Sequence, residues 1–111
     1  MRFEVTDAFE GDYRRLTKRD RALFRQALGE FIEACDAFVA NPGSYRWPGK
    51  LRVKPVERTS GVFEMTWSFS GPDGRATWEW TEIEVREKRT VKHVPAVRWR
   101  RIGDHRILQQ P

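Results

Sequence analysis

Apolar and polar positions follow two rhythms along this chain, and the change between them falls near Leu51. Up to Val39 the spacing is helical. Phe9, Tyr13 and Leu16 recur at steps of four and three and make one apolar face, while Arg14, Arg15, Lys18 and Arg19 lie elsewhere on the surface. Ahead of that face, Thr6-Asp7 offers side-chain oxygens to the first free amides, so a helix is predicted to begin there, after a short extended segment Phe3-Glu4-Val5. Thr17-Lys18-Arg19-Asp20 predicts a second start, with Thr17 as cap and Asp20 near the positive end of the helix dipole. That second helix carries Leu23, Phe24, Ala27, Leu28, Phe31, Ile32, Cys35, Phe38 and Val39 in a broad stripe, and it should stop before Asn41-Pro42-Gly43. Gly29 interrupts it at a cost of about 1 kcal/mol relative to alanine, which so long a stripe outweighs. The two helices are expected to form a hairpin.

A turn-rich connector over 41–50 leads to a period of two. Leu51-Arg52-Val53-Lys54 predicts one strand and the run from Val62 to Phe69 a second. Ser70-Gly71-Pro72-Asp73-Gly74 predicts a turn, and Arg75-Ala76-Thr77-Trp78-Glu79-Trp80-Thr81 returns as the hairpin partner. Residues 82–93 are so charged that they read mainly as an exposed connection, with room for the strand to continue over the first of them. Val97-Arg98-Trp99-Arg100-Arg101-Ile102 then forms the last strand, broken by Gly103, with His105 just beyond. The expected class is α+β: one domain over 1–111, with an N-terminal helical hairpin packed on one face of a mainly antiparallel sheet of about four strands. Phe63, Met65, Trp67, Phe69, Trp78, Trp80, Val97 and Trp99 should face the helices. Arg52, Lys54, Glu64, Thr66, Ser68, Arg75, Thr77, Glu79, Arg98 and Arg100 should then share the opposite, open face.

Composition narrows the picture. With 39% hydrophobic and 33% charged residues the chain is globular rather than disordered, and its five tryptophans and seven phenylalanines supply the material of a compact core. A formal charge of +5 calls for an anionic partner without choosing which. One cysteine excludes an intrachain disulfide; lying on the apolar stripe of the second helix, Cys35 reads as a buried, inert thiol. No apolar run is long enough for a membrane span, and Met1-Arg2-Phe3-Glu4 has no signal-peptide character, so a cytoplasmic protein without a membrane partner is expected. Two histidines and one cysteine, widely separated, make no metal-ligand spacing, and a glycine-rich phosphate loop is absent, so neither a metal nor a cofactor is expected.

Three local motifs, in order, resemble the RelE/ParE toxin superfamily, the toxin half of bacterial toxin–antitoxin pairs. Val5-Thr6-Asp7-Ala8-Phe9 with Leu16 is similar to the family's opening strand and helix. Gly61-Val62-Phe63-Glu64-Met65 before a hairpin and a strand led by Arg75 is similar to its central stretch. Trp99-Arg100-Arg101-Ile102-Gly103-Asp104-His105 resembles the terminal motif of a RelE-like branch. The resemblance covers nearly the whole chain. It implies an endoribonuclease that cuts messenger RNA on the ribosome, held inactive in an oligomer with a cognate antitoxin protein; related members instead poison DNA gyrase or bind without catalysis. The chain departs from many RNA-cutting relatives in having Leu108 where tyrosine or phenylalanine is common.

Under that resemblance the residues acquire roles. RNA cleavage by the substrate's own 2′-hydroxyl needs a base, cations for the crowded phosphate and an acid for the leaving 5′-oxygen. Arg75, Arg98 and Arg100 are the expected phosphate cations, and Arg52, Lys54 and Arg101 the expected contacts to adjacent RNA. His105 is the natural acid, histidine being the side chain that titrates nearest neutral pH; Glu79 or Glu64 is the base. The bland alternative is cross-strand pairing of those glutamates with the arginines. Arg101, sharing parity with Trp99, also reads as structural. The helical cations Arg14, Arg15, Lys18, Arg19, Arg21 and Arg25 are either a solvated face or a contact for ribosomal RNA or an acidic antitoxin.

Overall fold

The structure, a computed structural model, describes residues 1–43, 46–68 and 73–111. It comprises β1 (Arg2–Val5), α1 (Asp7–Arg15), α2 (Lys18–Ala40), β2 (Lys54–Pro55), β3 (Val62–Ser68), β4 (Gly74–Glu87) and β5 (Thr90–Gly103), with single 3-10 turns at Gly49–Leu51 and His105–Gln109. Both helices start where the sequence places them. The hydroxyl oxygen of Thr6 accepts from the Phe9 amide at 3.1 Å, and that of Thr17 accepts from the Asp20 amide at 3.1 Å. Asn41 ends α2 by donating its amide to the Ala37 carbonyl.

The strands form one five-stranded sheet in the order β1-β5-β4-β3-β2, parallel only between β1 and β5. It thus has one strand more than expected, and it is mixed. Phe3-Glu4-Val5, read as a mere lead-in, is the extra edge strand. It pairs with residues 96–99 of β5, and Thr6 extends the pairing through its amide to the Trp99 carbonyl at 3.0 Å and its hydroxyl to the Arg100 carbonyl at 2.7 Å. Buried Val97 and Trp99 leave β5 no route to water for its backbone groups, so that edge is paired.

Residues 82–93 are likewise strand rather than connection. β4 and β5 continue past the body as a two-stranded arm that turns at Lys88, whose φ is 53°. Half-buried Ile83 and Val85 alternate there with exposed Glu82, Glu84 and Arg86, and Ile83 pairs across to Val94. The charged side chains hid a period-two pattern because on such an arm both faces reach solvent. The opposite error occurs at 51–54. Gly49–Leu51 is a 3-10 turn and Arg52 stands in the left-handed region at φ 46°, so only Lys54 and Pro55 pair with β3. The final strand stops at Gly103 and gives way to the second 3-10 turn.

α2 lays Phe24, Phe31 and Cys35 on the sheet, where they meet Met65, Trp67, Trp78 and Trp99; Phe9 of α1 joins them. The rings of Phe31 and Trp99 lie 4.9 Å apart and those of Phe31 and Trp78 5.0 Å apart. Trp47, in the connector, is half-buried and stacks on Phe31 and Phe38 at 5.8 and 5.4 Å. Phe63 and Trp80 are only half-buried, at the margins of this layer. The expected place of Phe69 and most of the turn before Gly74 lie outside the described residues. Gly74 is itself required. A Cβ there would stand 2.5 Å from the Trp67 ring, whose indole nitrogen is held by the Arg75 carbonyl at 2.9 Å. Gly74→Ala is therefore expected to destabilise the protein by about 1–3 kcal/mol through overpacking, read as a lowered urea midpoint.

A bulge breaks strict alternation in β5. Trp78 pairs with Trp99 and Thr77 with Arg101, so Arg100 is the additional residue. This lets Trp99 and Ile102, three apart, both point inward, which an unbroken strand does not allow. The face away from the helices is not open throughout. Glu64, Thr66 and Thr77 are buried, and the His105–Gln109 turn packs against β4 there, with Ile107 as its buried residue.

Candidate functional site

The expected cationic face divides into two clusters along β4. Arg75 and Glu79 project from the same strand four residues apart, or about 13 Å at the rise of an extended chain, with Thr77 between them.

At one end, Glu79 is clamped. Its Oε1 accepts from Arg98 Nη1 at 2.9 Å and its Oε2 from Arg100 Nη1 at 2.8 Å. Arg98 is used up further by Glu4 at 3.0 Å and Thr81 at 3.3 Å, while Arg100 donates from Nε and Nη2 to the Pro111 carbonyl at 3.2 and 3.1 Å. Burial pushes the Glu79 carboxyl up, but the hydrogen bonds and charges of Arg98 and Arg100 outweigh it and hold the group below its ordinary value of 4.5. Such a carboxylate is a weak proton acceptor, and its partners have little capacity left for phosphate. The same contact has a stability consequence. A carboxyl depressed in the folded state contributes stability above its unfolded value, which is lost as pH falls through the folded one. Glu79→Gln is thus expected to remove part of the decline in thermal midpoint below about pH 4.5, measured by calorimetry across pH 2–6.

Arg101 goes elsewhere. Its Nε and Nη2 donate to the Asp12 carboxylate at 2.6 and 3.2 Å, and its Nη1 to the Gln110 carbonyl at 3.1 Å. Asp12, 8% exposed, also accepts from the Ile102 amide at 3.2 Å and from Arg15 at 3.2 Å. This knot ties α1 to β5 and gives Arg101 a structural role, with three of its donor atoms engaged. The sequence carried a signal for it: Asp12 stands three residues after Phe9, on the apolar face of α1, where a carboxylate requires a buried partner.

At the other end, β2, β3, β4 and the 3-10 turn enclose a cleft of about 420 Å³ to which Lys54, Glu64, Arg75, His105 and Leu108 all contribute. Glu64 is 5% exposed and lies 3.7 Å from Lys54 Nζ and 3.6 Å from Arg75 Nε. Arg75 also donates to the Thr66 hydroxyl at 2.8 Å and to Asp73 at 3.5 Å, so it works as a strut that fixes Glu64. His105, exposed, sits at the start of the 3-10 turn capped by Asp104, whose carboxylate accepts from the Arg106 amide at 2.9 Å. Arg52 approaches Asp73 at 3.9 Å, away from the cleft lining. Sequence reasoning missed two further charged lining residues, Glu57 and Arg58, because the loop before β3 has no period to reveal its direction.

The remaining candidates fall outside both clusters. Cys35 is fully buried, and burial, reinforced by Asp36, pushes its thiol up to about 12, which rules out a nucleophilic thiolate at neutral pH. On the helices, Arg21 donates to the carbonyls of Tyr13 and Arg14 at 3.3 and 2.9 Å and stacks on the Tyr13 ring, closing the hairpin; Lys18 and Arg19 remain exposed. Among the described residues no group of three or more His, Cys, Asp or Glu is placed to hold a metal ion, and no helix is long and apolar enough to cross a membrane. No family model, curated protein or solved structure matches this chain.

Proposed function

We propose that this chain is a RelE-like toxin, a ribosome-dependent endoribonuclease that cleaves messenger RNA without a metal and is restrained by a separately encoded antitoxin. One observation carries the reading: a carboxylate, a histidine and cations from three strands and the last turn line a single cleft on the sheet face away from the helices. In that cleft Glu64 accepts the proton of the RNA 2′-hydroxyl as its oxygen bonds to phosphorus. His105 gives a proton to the 5′-oxygen as the phosphorus–oxygen bond breaks, leaving a 2′,3′-cyclic phosphate and a 5′-hydroxyl. Lys54 supplies positive charge beside them. Glu64 takes the role of base in place of Glu79, because two guanidinium groups occupy both oxygens of Glu79. The Arg98–Glu79–Arg100 cluster then serves as a rigid floor of the sheet rather than as a phosphate site.

The test is to add the purified protein to ribosomes translating a defined message and to map the ends of the RNA. Cuts within the A-site codon that end in cyclic phosphate support the reading. Intact message at stoichiometric protein would refute it.

A second reading is favoured by the internal pairing of Arg98 and Arg100. On it, the chain is a noncatalytic module of the same fold that binds an antitoxin, and possession of a target such as DNA gyrase gives it toxicity. Inhibited supercoiling with uncut message selects this alternative.

A further inference from the structure

A cleft that bends RNA around a scissile phosphate needs a cation able to reach that phosphate. Arg75 is committed, held by Glu64, Thr66 and Asp73 with its side chain only 12% exposed, and Lys54, 3.7 Å from Glu64, stands beside the proton-transfer groups, which leaves the neighbouring backbone phosphate to another cation. Arg58 lines the same cleft, is exposed, and has no hydrogen bond or ion pair among the described residues. Glu57 beside it is also exposed and does not pair with it.

The backbone adds an independent observation. Arg58 adopts φ 63°, in the left-handed region where glycine or asparagine is unstrained and a longer side chain is not. The loop that imposes this is pinned: the Val56 amide donates to the Val62 carbonyl at 2.9 Å and the Thr59 amide to the Val56 carbonyl at 3.4 Å, with Gly61 at φ 75° completing the turn. A guanidinium thus stands on a fixed base at the cleft, with local backbone strain and with its fork of N–H donors unpaired among the described residues. That fork matches two nonbridging oxygens of a phosphodiester. Pro55, Val56 and Leu108 supply an apolar wall against which a ribose and base can rest without ring stacking.

We propose that Arg58 is the residue of this cleft that binds the phosphate backbone of single-stranded RNA; this rests on the reading of the cleft as an RNA-cleaving site. The test uses a 2′-O-methyl RNA oligonucleotide, which lacks the attacking hydroxyl and so reports binding alone. Its affinity is measured by fluorescence anisotropy over a range of salt for the wild type, Arg58→Ala, Arg58→Gly and Arg58→Lys.

The Ala and Gly variants are expected to bind about tenfold more weakly and to lose about 0.7 from the slope of log affinity against log salt, the signature of one phosphate contact on a single strand. Arg58→Lys should keep the slope. Arg58→Gly should at the same time melt no lower than the wild type, because glycine relieves the left-handed strain; a merely structural arginine would not separate binding from stability in this way. Unchanged affinity and slope in Arg58→Ala, with the wild type binding RNA, overturns the assignment to Arg58 alone. A wild type that does not bind the oligonucleotide overturns the RNA reading of the cleft and this proposal with it.

Discussion

Replacing His105 by alanine is expected to slow mRNA cleavage by about 10²- to 10⁴-fold, the usual contribution of a positioned general acid, with little loss of stability. His105 is exposed on a turn whose shape is set by Asp104 capping and by Ile107 seated in the sheet, so the imidazole itself supports nothing. Glu64→Gln should produce a loss of the same order for the opposite reason: the amide keeps the volume and one acceptor but cannot take the 2′-hydroxyl proton. On the proposed mechanism the two groups act in one step, so the double variant should be little slower than the worse single variant. The measurement is the single-turnover rate on stalled ribosomes programmed with one message. Two variants that both cut at the wild-type rate would remove the proton-transfer roles assigned to the cleft.

The largest effect on folding is expected at Asp12. Its carboxylate gathers Arg101, the Ile102 amide and Arg15. Asp12→Ala leaves two Arg101 donor atoms and the buried Ile102 amide without their acceptor, with only the Gln110 carbonyl still holding Arg101, a loss of about 3 kcal/mol. For a domain of this size that corresponds to a thermal midpoint lower by roughly 10 °C or more. Asp12→Asn retains an acceptor for the Ile102 amide and should fall between. The knot joins α1 to the strand that neighbours the cleft, so Asp12→Ala should also loosen the His105 turn; faster amide exchange at residues 101–109 than in the helices would show it. Equal stability of Asp12→Ala and wild type would mean that α1 is held by its aromatic contacts alone.

Much of the architecture is legible in the order of residues because helices are written in short-range terms. Thr6 and Thr17 each cap a helix through an amide only three residues on, and the stripe from Leu23 to Cys35 carries its own period. Strands are legible where one face is buried, as at Met65, Trp67, Trp78 and Trp99. They are not legible where both faces are wet: the arm over 82–93 has the alternation of a strand, but charge on both sides masks it. The run over 51–54 makes the reverse case. It alternates, yet Arg52 takes a left-handed turn that no pattern of polarity records.

The site was legible as a set of residue types and not as a grouping. The types that the proposed RNA cleavage uses, the basic last strand, the histidine past Gly103 and a glutamate at either 64 or 79, were marked out in the sequence through the resemblance. Which of them meet depends on register. The bulge at Arg100, the parallel entry of β1 and the fold-back of 104–111 send Arg98 and Arg100 to Glu79, Arg101 to Asp12, and leave Arg75 to brace Glu64. A guanidinium's partner is chosen by contacts nearly the whole chain length apart, as between Arg98 and Glu4, and a one-residue slip in a strand reverses every side chain on it. Residue types were therefore readable from neighbours a few positions away, whereas pairing, and the lack of a partner for the Arg58 guanidinium among the described residues, exist only once distant strands have been laid side by side.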